Sequence, residues 1–147
     1  MTSETSVPTA AKWLGFSGLI PFLAGALATL PVMEALRPFG VTLLLAYGAI
    51  ILSFMGGVHW GVAMLRDDPD SRALAASVVS SLVALPAALI GGAAGLLILA
   101  AGFAGLLFYD TQEASAGRLP AWYPLLRRPL TAVVVACLLI GAGARLF

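Results

Sequence analysis

Hydrophobic residues run along this chain in long stretches that charged residues interrupt at only a few places. No Asp, Glu, Lys or Arg occurs in residues 13–33, 38–65, 73–109 or 129–144. A hydrocarbon core about 30 Å thick needs about 17–25 apolar residues as a helix, and these stretches contain 21, 28, 37 and 16 residues. The pattern predicts an all-α protein whose helices cross a membrane.

The stretch over residues 73–109 decides how many helices there are. As a single helix it would be about 55 Å long at 1.5 Å per residue, well beyond the hydrocarbon core. Gly91-Gly92 lies in its middle and is typical of a turn, so we expect the stretch to cross twice. The prediction is a single integral membrane domain over residues 1–147, a polytopic helix bundle. Its five transmembrane helices are predicted at about 13–33, 39–65, 73–90, 93–109 and 129–147.

Prolines and polar residues set the expected bends and ends of these helices. Pro21 should bend the first helix, because membrane helices tolerate the loss of one backbone hydrogen bond. Asp67-Asp68-Pro69-Asp70 should close the second helix, and Pro129 should start the fifth, where its missing N–H is harmless. Residues 1–11 are expected to form a flexible polar tail. Residues 110–128 are expected to form an amphipathic cytoplasmic loop, with an extended proline-rich part along the membrane surface.

The positive charges predict an orientation, because cytoplasmic loops of membrane proteins collect Lys and Arg. Five helices place six Lys and Arg residues on one side and two on the other, whereas four helices would place four on each side. The N-terminus is therefore predicted in the cytoplasm and the C-terminus outside, with Arg145 reaching out to the interface. A cleaved signal peptide is the competing interpretation of residues 14–26. Against it, the segment before these residues carries one Lys and one Glu.

The composition of the chain excludes several kinds of partner and binding site. The chain is 61% hydrophobic and 10% charged, and its longest basic run is Arg127-Arg128, so a nucleic-acid partner is not expected. Cys137 is the only cysteine and His59 the only histidine. An intrachain disulfide, a Cys-pair motif and a metal site with several His ligands are therefore excluded. No catalytic motif is present, and the sequence does not indicate which cofactor, if any, is bound.

A face of small residues lies on the second predicted helix. Ser53, Gly57 and Gly61 follow one another at i, i+4 spacing. Small residues let a second helix approach closely, and such packing drives helix association in lipid. We interpret this face as a packing groove for another helix of the same chain, with a homodimer seam or the close approach of a ligand as alternatives.

His59 lies about two turns inside Arg66 on that helix. An ionisable side chain at such a depth is a functional-site hypothesis, because burying it unpaired in lipid is costly. The structural alternative is a neutral imidazole that donates one hydrogen bond, to a backbone carbonyl or to Asp110, and so fastens two helices together.

The predicted topology brings further aromatic and charged residues to the same interface as His59. One interpretation is interface anchoring with an Asp110–Arg127 ion pair. The other is a site for a lipid headgroup or a quinone, in which Arg127 or Arg128 holds an anionic or carbonyl oxygen and Trp122 stacks. The candidate ligand-binding residues are His59, Trp60, Asp110, Trp122, Tyr123, Arg127 and Arg128.

Three segments of the chain form recognisable motifs. They are Gly15-Phe-Ser-Gly-Leu-Ile-Pro-Phe22, Tyr47-Gly-Ala-Ile-Ile-Leu-Ser-Phe-Met-Gly-Gly-Val-His-Trp-Gly61 and Leu119-Pro-Ala-Trp-Tyr-Pro-Leu-Leu-Arg127. They resemble an uncharacterised bacterial and mitochondrial family of small multi-helix proteins typified by transmembrane protein 69, over residues 11–147. The resemblance implies a multi-pass protein of the bacterial inner membrane. It implies no activity, because the family is defined as a domain of unknown function.

Two functions therefore stay open. The leading hypothesis is a non-enzymatic subunit or assembly factor that packs against other membrane proteins or forms a homodimer. It rests on the small-residue face and on the lack of a catalytic set. The alternative is a lipid- or quinone-binding protein, either a carrier or an enzyme, with its site at the aromatic–arginine cluster. Membrane lipids are expected partners in both cases.

Overall fold

The computed structural model describes residues 6–66 and 71–144, and the regular structure in these residues is entirely helical. The predicted turn at residues 67–70 and the predicted role of Arg145 lie outside the described residues. The elements are α1 (Thr9–Ser17), α2 (Ile20–Ala28), a 3₁₀ helix (Pro31–Leu36), α3 (Arg37–Met64), α4 (Ser71–Ile90), α5 (Gly92–Ser115) and α6 (Trp122–Gly143).

Five spans in the described residues are long and apolar enough to cross a membrane. α1 and α2 together form the first span, the 3₁₀ helix and α3 the second, and α4, α5 and α6 the other three. This confirms the predicted polytopic bundle of five helices. The first helix begins at Thr9, so residues 9–11 of the predicted tail belong to α1.

The first span is broken just before Pro21, where a bend was predicted. α1 ends at Ser17 and α2 begins at Ile20. Pro21 has no N–H to give to the preceding turn, and the N–H of Leu19 bonds the carbonyl of Phe16 in a tighter turn. The hydroxyl of Tyr47 in α3 donates to the carbonyl of Gly18 at 3.0 Å. A side chain of another helix therefore bonds the backbone at the break.

The reversal between α4 and α5 falls at the double glycine, as predicted. Gly91 and Gly92 both have positive φ, 68° and 57°, a region that L side chains rarely adopt. The N–H of Gly91 bonds the carbonyl of Ala87 at 3.1 Å. A Cβ on Gly95 would overlap that same carbonyl, so the glycines also let α4 and α5 meet closely beside the turn.

α5 is longer than its predicted range of 93–109. It continues to Ser115, so Asp110 lies inside the helix and does not end it. Glu113 lies in the same additional length and is 3% exposed. A charged residue usually marks the membrane edge, but Asp110 is paired inside the bundle, and the predicted end of the helix is therefore wrong.

α6 begins earlier than predicted, at Trp122 rather than at Pro129. Pro124 occupies its first turn, where a missing N–H is harmless, and Pro129 lies inside the helix. Only residues 116–121 connect α5 to α6. The predicted loop over residues 110–128 is thus mostly helical, and the end of its proline-rich part forms the first turn of α6.

α3 lies at the centre of the bundle and packs against α2, α4, α5 and α6. Every fourth residue along its middle is buried, and glycines alternate there with leucines. A Cβ on the first of these glycines would lie 2.7 Å from a carbonyl of α2, and a Cβ on the last would overlap Ser80 of α4. The buried residues of this row are Gly40, Leu44, Gly48, Leu52 and Gly56.

The predicted packing face of α3, formed by Ser53, Gly57 and Gly61, therefore does not face the other helices of the chain. A Cβ added to Gly57 or Gly61 would have nothing within 4 Å among the described residues. Ser53 is half-buried, and both glycines are exposed. The expectation that this face packs against another helix of the same chain is wrong, and the face lies open on the outside of the bundle.

A buried charge cluster beside an apolar cavity

Three helices meet at Asp110 of α5. The Nε2 atom of His59 in α3 lies 2.7 Å from one carboxylate oxygen, and Nε of Arg127 in α6 donates to the other oxygen at 2.9 Å. The exposed fractions of His59, Asp110 and Arg127 are 2%, 0% and 4%. We call these three residues the Asp110 cluster. Both predicted contacts of Asp110 are present, but the ion pair is buried rather than exposed at an interface.

Each member of the Asp110 cluster lies on the stripe of its helix that faces the core. In α5, Phe103, Leu106 and Asp110 are all buried at spacings of three and four residues. His59 follows Gly56 on α3 and Arg127 precedes Thr131 on α6 in the same way. Residues three and four apart share one helix face, so the spacing that buries the apolar core also brings the three polar side chains together.

Asp110 and Arg127 neutralise each other's formal charge within the Asp110 cluster. The carboxylate carries one negative charge and the guanidinium one positive charge, and burying an ion without a partner costs several kcal/mol. His59 lies against the other carboxylate oxygen and can donate to it with a proton on Nε2. The buried charge of Asp110 is thus paired with that of Arg127.

A second ion pair, which sequence reasoning missed, lies one turn beyond Asp110. Arg118 donates to Glu113 through Nε at 2.7 Å and through Nη2 at 2.6 Å. Arg66 in turn donates to the backbone carbonyl of Arg118 at 3.3 Å. Glu113 follows Asp110 by three residues, so a longer α5 would have placed it on the same face. We call this end of the bundle, with Arg66, Arg118 and Arg127, the arginine end.

The Asp110 cluster leaves hydrogen-bonding capacity unused on α6. Nη2 of Arg127, the hydroxyl of Tyr123 and the hydroxyl of Thr131 are buried and have no hydrogen-bond partner within residues 6–66 and 71–144. These residues are four apart and follow one another along one helix face. A buried polar group without a partner costs about 1–3 kcal/mol, so a molecule that supplied an acceptor here would recover that free energy.

A cavity of about 520 Å³ lies between the first span and helices α3, α5 and α6. Trp122, Tyr123 and Arg127 line one part of it, and Tyr47 is the other polar side chain of the lining. The remaining lining residues are apolar. Leu14 of α1 and Phe54 of α3 belong to the lining and are 74% and 65% exposed. The cavity therefore opens on the lipid-facing side, between α1 and α3.

The predicted ligand-binding residues separate into three groups. His59 and Asp110 hold Arg127 in the Asp110 cluster, while Arg127, Tyr123 and Trp122 line the cavity. Trp60 is 45% exposed and Arg128 is exposed, and neither lines the cavity. The sequence predicted that one pocket could contain several of the seven residues, and three of them line this cavity. Trp60 and Arg128 lie outside it because neighbouring residues of a helix point in different directions.

His59 is itself packed rather than open to the cavity. Its ring lies edge-on to the ring of Tyr109, with the ring centres 4.8 Å apart. Its part is to orient the carboxylate that holds Arg127. In the part of the chain that the structure describes, no group of three or more His, Cys, Asp or Glu side chains could hold a metal ion.

Comparison with known proteins gives a family but no activity. The family described as "Protein of unknown function (DUF3429)" matches residues 7–143. Transmembrane protein 69 of Xenopus tropicalis is 40% identical over 135 residues, which cover 87% of this chain and 51% of that protein. The chain thus spans about half the length of this curated relative. No solved structure matches it.

Proposed function

Because this chain belongs to the DUF3429 family, whose description names no activity, we propose its function from its own structure: it binds a membrane-soluble amphiphile. The ligand, a lipid or a quinone, occupies the cavity between the first span, α3, α5 and α6. Its polar head bonds Arg127. The observation that carries the proposal is that Arg127 belongs to the lining of a largely apolar cavity, while its buried Nη2 has no hydrogen-bond partner among the described residues.

The character of the cavity supports a small amphiphile. Ligand sites are typically about 300–1,000 Å³, mostly apolar, with a few polar groups that fix the orientation of the ligand. This cavity is about 520 Å³ and has its polar side chains at the start of α6 and at Tyr47. Its opening between Leu14 and Phe54 leaves a path for an apolar tail into the bilayer.

The Asp110 cluster supports the same proposal from the protein side. Arg127 is held at Nε by Asp110, and Asp110 is held in turn by His59. A guanidinium fixed in this way presents its free N–H groups in one direction, so less side-chain entropy is lost when a ligand binds. His59 and Asp110 are thus positioning residues, and Arg127 and Tyr123 would contact the ligand.

The test places a bulky side chain in the cavity by substituting one of the lining residues. Leu130 lines the cavity, whereas Leu125 lies on the same helix, is 49% exposed and does not line it. Protein extracted into nanodiscs with native lipid is weighed by native mass spectrometry, and co-purified lipids and quinones are extracted and quantified. Leu130→Trp should lose a co-purified molecule by about tenfold or more, and Leu125→Trp should retain it. Equal retention by both variants would overturn the proposal.

The compartment and orientation are part of the proposal. We place the chain in the bacterial inner membrane, with the arginine end in the cytoplasm and the C-terminus outside. The distribution of Lys and Arg supports the orientation, and the family resemblance supports the membrane.

A second candidate function is the subunit or assembly factor. The open face of Ser53, Gly57 and Gly61 supports it, because a second transmembrane helix could approach α3 closely there. The cavity and the small-residue face lie on adjacent parts of α3, since Phe54 of the cavity lining precedes Gly57 by three residues, and the two candidates are tested with different substitutions.

A further inference from the structure

We infer that the head of the bound amphiphile is a neutral carbonyl group on a flat ring, as in a quinone, and not an anionic phosphate. This inference rests on the proposed function and names its ligand class. Three observations carry it: the charge balance of the Asp110 cluster, the positions of the unused donors, and the aromatic side chains of the cavity wall.

The pairing of Arg127 with Asp110 disfavours an anion as the ligand. The positive charge of Arg127 is already neutralised by Asp110 at 2.9 Å, and Arg127 is the only charged residue in the lining. A phosphate beside Arg127 would give Asp110, Arg127 and the ligand together a net negative charge, which is costly away from water. A neutral carbonyl oxygen accepts the same hydrogen bond and adds no charge.

Other cations do not alter this balance. Lys12 and Arg128 are the nearest in sequence to the cavity wall, but both are exposed and neither lines the cavity. Lys12 lies with Trp13 on the outer side of α1. Arg66 and Arg118 belong to the contacts around Glu113 on the other side of Asp110. A headgroup inside the cavity would therefore meet one guanidinium that is already paired.

The unused donors match carbonyl oxygen. Nη2 of Arg127 and the hydroxyl of Tyr123 both need a partner, and both side chains reach the cavity from adjacent turns of α6. Adjacent turns are about 5–6 Å apart along the axis. A carbonyl oxygen has two lone pairs, so one carbonyl group offers as many acceptor positions as there are unused donors here.

Aromatic side chains form much of the cavity wall and favour a flat ring over a glycerol backbone. Phe22 contacts Tyr47 with ring centres 5.0 Å apart and Phe103 at 6.0 Å. Trp122 contacts Tyr123 at 6.0 Å near the unused donors. Phe22 and Phe103 are 1% and 0% exposed, so the aromatic surface open to a ligand belongs to the partly buried Tyr47, Trp122 and Tyr123. Aromatic faces pack well against a conjugated ring, so these side chains and the donors together fit a quinone head with its tail directed to the opening.

The experiment measures quenching of single tryptophans by decylubiquinone in phosphatidylcholine nanodiscs. Trp122 lines the cavity and Trp60 is outside it. One variant, Trp13→Phe/Trp60→Phe, keeps only Trp122, and its matched control, Trp13→Phe/Trp122→Phe, keeps only Trp60. Quenching of Trp122 should saturate with added quinone, whereas quenching of Trp60 should rise linearly, as expected for collisions in the bilayer.

A second variant pair tests the hydrogen bond. Tyr123→Phe in the Trp122-only protein should weaken quinone binding about fivefold, the usual effect of one hydrogen bond. Thr42→Val, which removes an exposed hydroxyl of α3 outside this cavity, should leave the affinity unchanged. Equal affinities in all three proteins would overturn the assigned donor.

Anionic lipid separates this inference from the proposed function. Phosphatidylglycerol added to the nanodiscs should not displace the quinone. Saturable phosphatidylglycerol binding that protects Trp122 from the quinone would overturn the carbonyl assignment and leave the proposed function in place. A different outcome would overturn both the carbonyl assignment and the proposed function. In that outcome neither the quinone nor phosphatidylglycerol binds saturably, and the Leu130→Trp protein retains every lipid that the Leu125→Trp protein retains.

Discussion

One carboxylate joins three helices in this protein. Asp110 accepts from His59 of α3 and from Arg127 of α6 while fully buried in α5. Such a group specifies where its partners lie, because any other arrangement leaves a buried charge without a partner. Arg127 also belongs to the lining of the cavity, so the residue that pairs with Asp110 is the one to which we assign the ligand.

Substitution of Asp110 separates these roles. Asp110→Ala leaves the charge of Arg127 buried and unpaired, so the free energy of unfolding should fall by about 3–5 kcal/mol. The double variant Asp110→Leu/Arg127→Leu should recover most of that loss and still fail to bind the ligand. Unfolding by SDS in mixed micelles, followed by circular dichroism, gives the stabilities.

The control for Asp110→Ala is Glu34→Ala, a carboxylate in the exposed 3₁₀ helix. Its effect should stay within about 0.5 kcal/mol. If both single variants unfold alike, the buried ion pair does not stabilise the bundle.

α3 presents two different glycine faces. Gly40, Gly48 and Gly56 face inward and let α2, α4 and α5 approach, whereas Gly57 and Gly61 face outward with nothing against them. Adjacent residues of a helix point about 100° apart, so Gly56 and Gly57 belong to different surfaces. The first surface builds the bundle, and the second is available to another molecule.

This difference predicts opposite results for two neighbouring substitutions. Gly56→Leu overlaps Ser80 and should lower the free energy of unfolding by about 1–3 kcal/mol or more. Gly57→Leu should change it by less than about 0.5 kcal/mol. If the second candidate function is correct, Gly57→Leu protein should also lose a larger complex on gentle size-exclusion chromatography.

Gly105→Leu is the matched control, because Gly105 is exposed on α5 and a Cβ there would also have nothing within 4 Å among the described residues. It should retain any complex that the unsubstituted chain forms. A complex that survives Gly57→Leu would count against a partner helix at that face.

On the scale of the whole molecule, the paired charged side chains and the aromatic start of α6 lie toward one end. The Asp110 cluster, the Glu113–Arg118 pair and the aromatic start of α6 all lie toward the arginine end, while the double glycine closes the opposite end between α4 and α5. If this end faces the cytoplasm, as the charge distribution predicts, a ligand would present its head toward the cytoplasmic leaflet.

Reporter fusions test that orientation. Alkaline phosphatase fused after Gly91 or after Phe147 should be active in a bacterial host, since the enzyme folds only outside the cytoplasm. A green fluorescent protein fused after Gly117, in the connection between α5 and α6, should fluoresce. The reverse pattern would invert the predicted topology without altering the bundle.

The spacing of apolar and charged residues determined the fold class, the five spans and the reversal at Gly91-Gly92. These features follow from the thickness of the bilayer and the rise of a helix per residue. Both quantities are the same whatever the tertiary contacts of a segment. The same spacing did not predict the end of α5 beyond Asp110 or the start of α6 before Pro129. A charged residue inside a span is taken for the membrane edge until its partner is known.

Only the tertiary structure decided which polar residues act together. The sequence contained His59, Asp110 and Arg127 as candidates beside Trp60 and Arg128, and periodicity alone does not say which helix faces meet. Packing of α3 against α5 and of α5 against α6 placed the first three in contact and turned the other two outward. The cavity also depends on the tertiary structure. It lies between the first span and helices α3, α5 and α6, and the sequence of one helix does not show the space between helices.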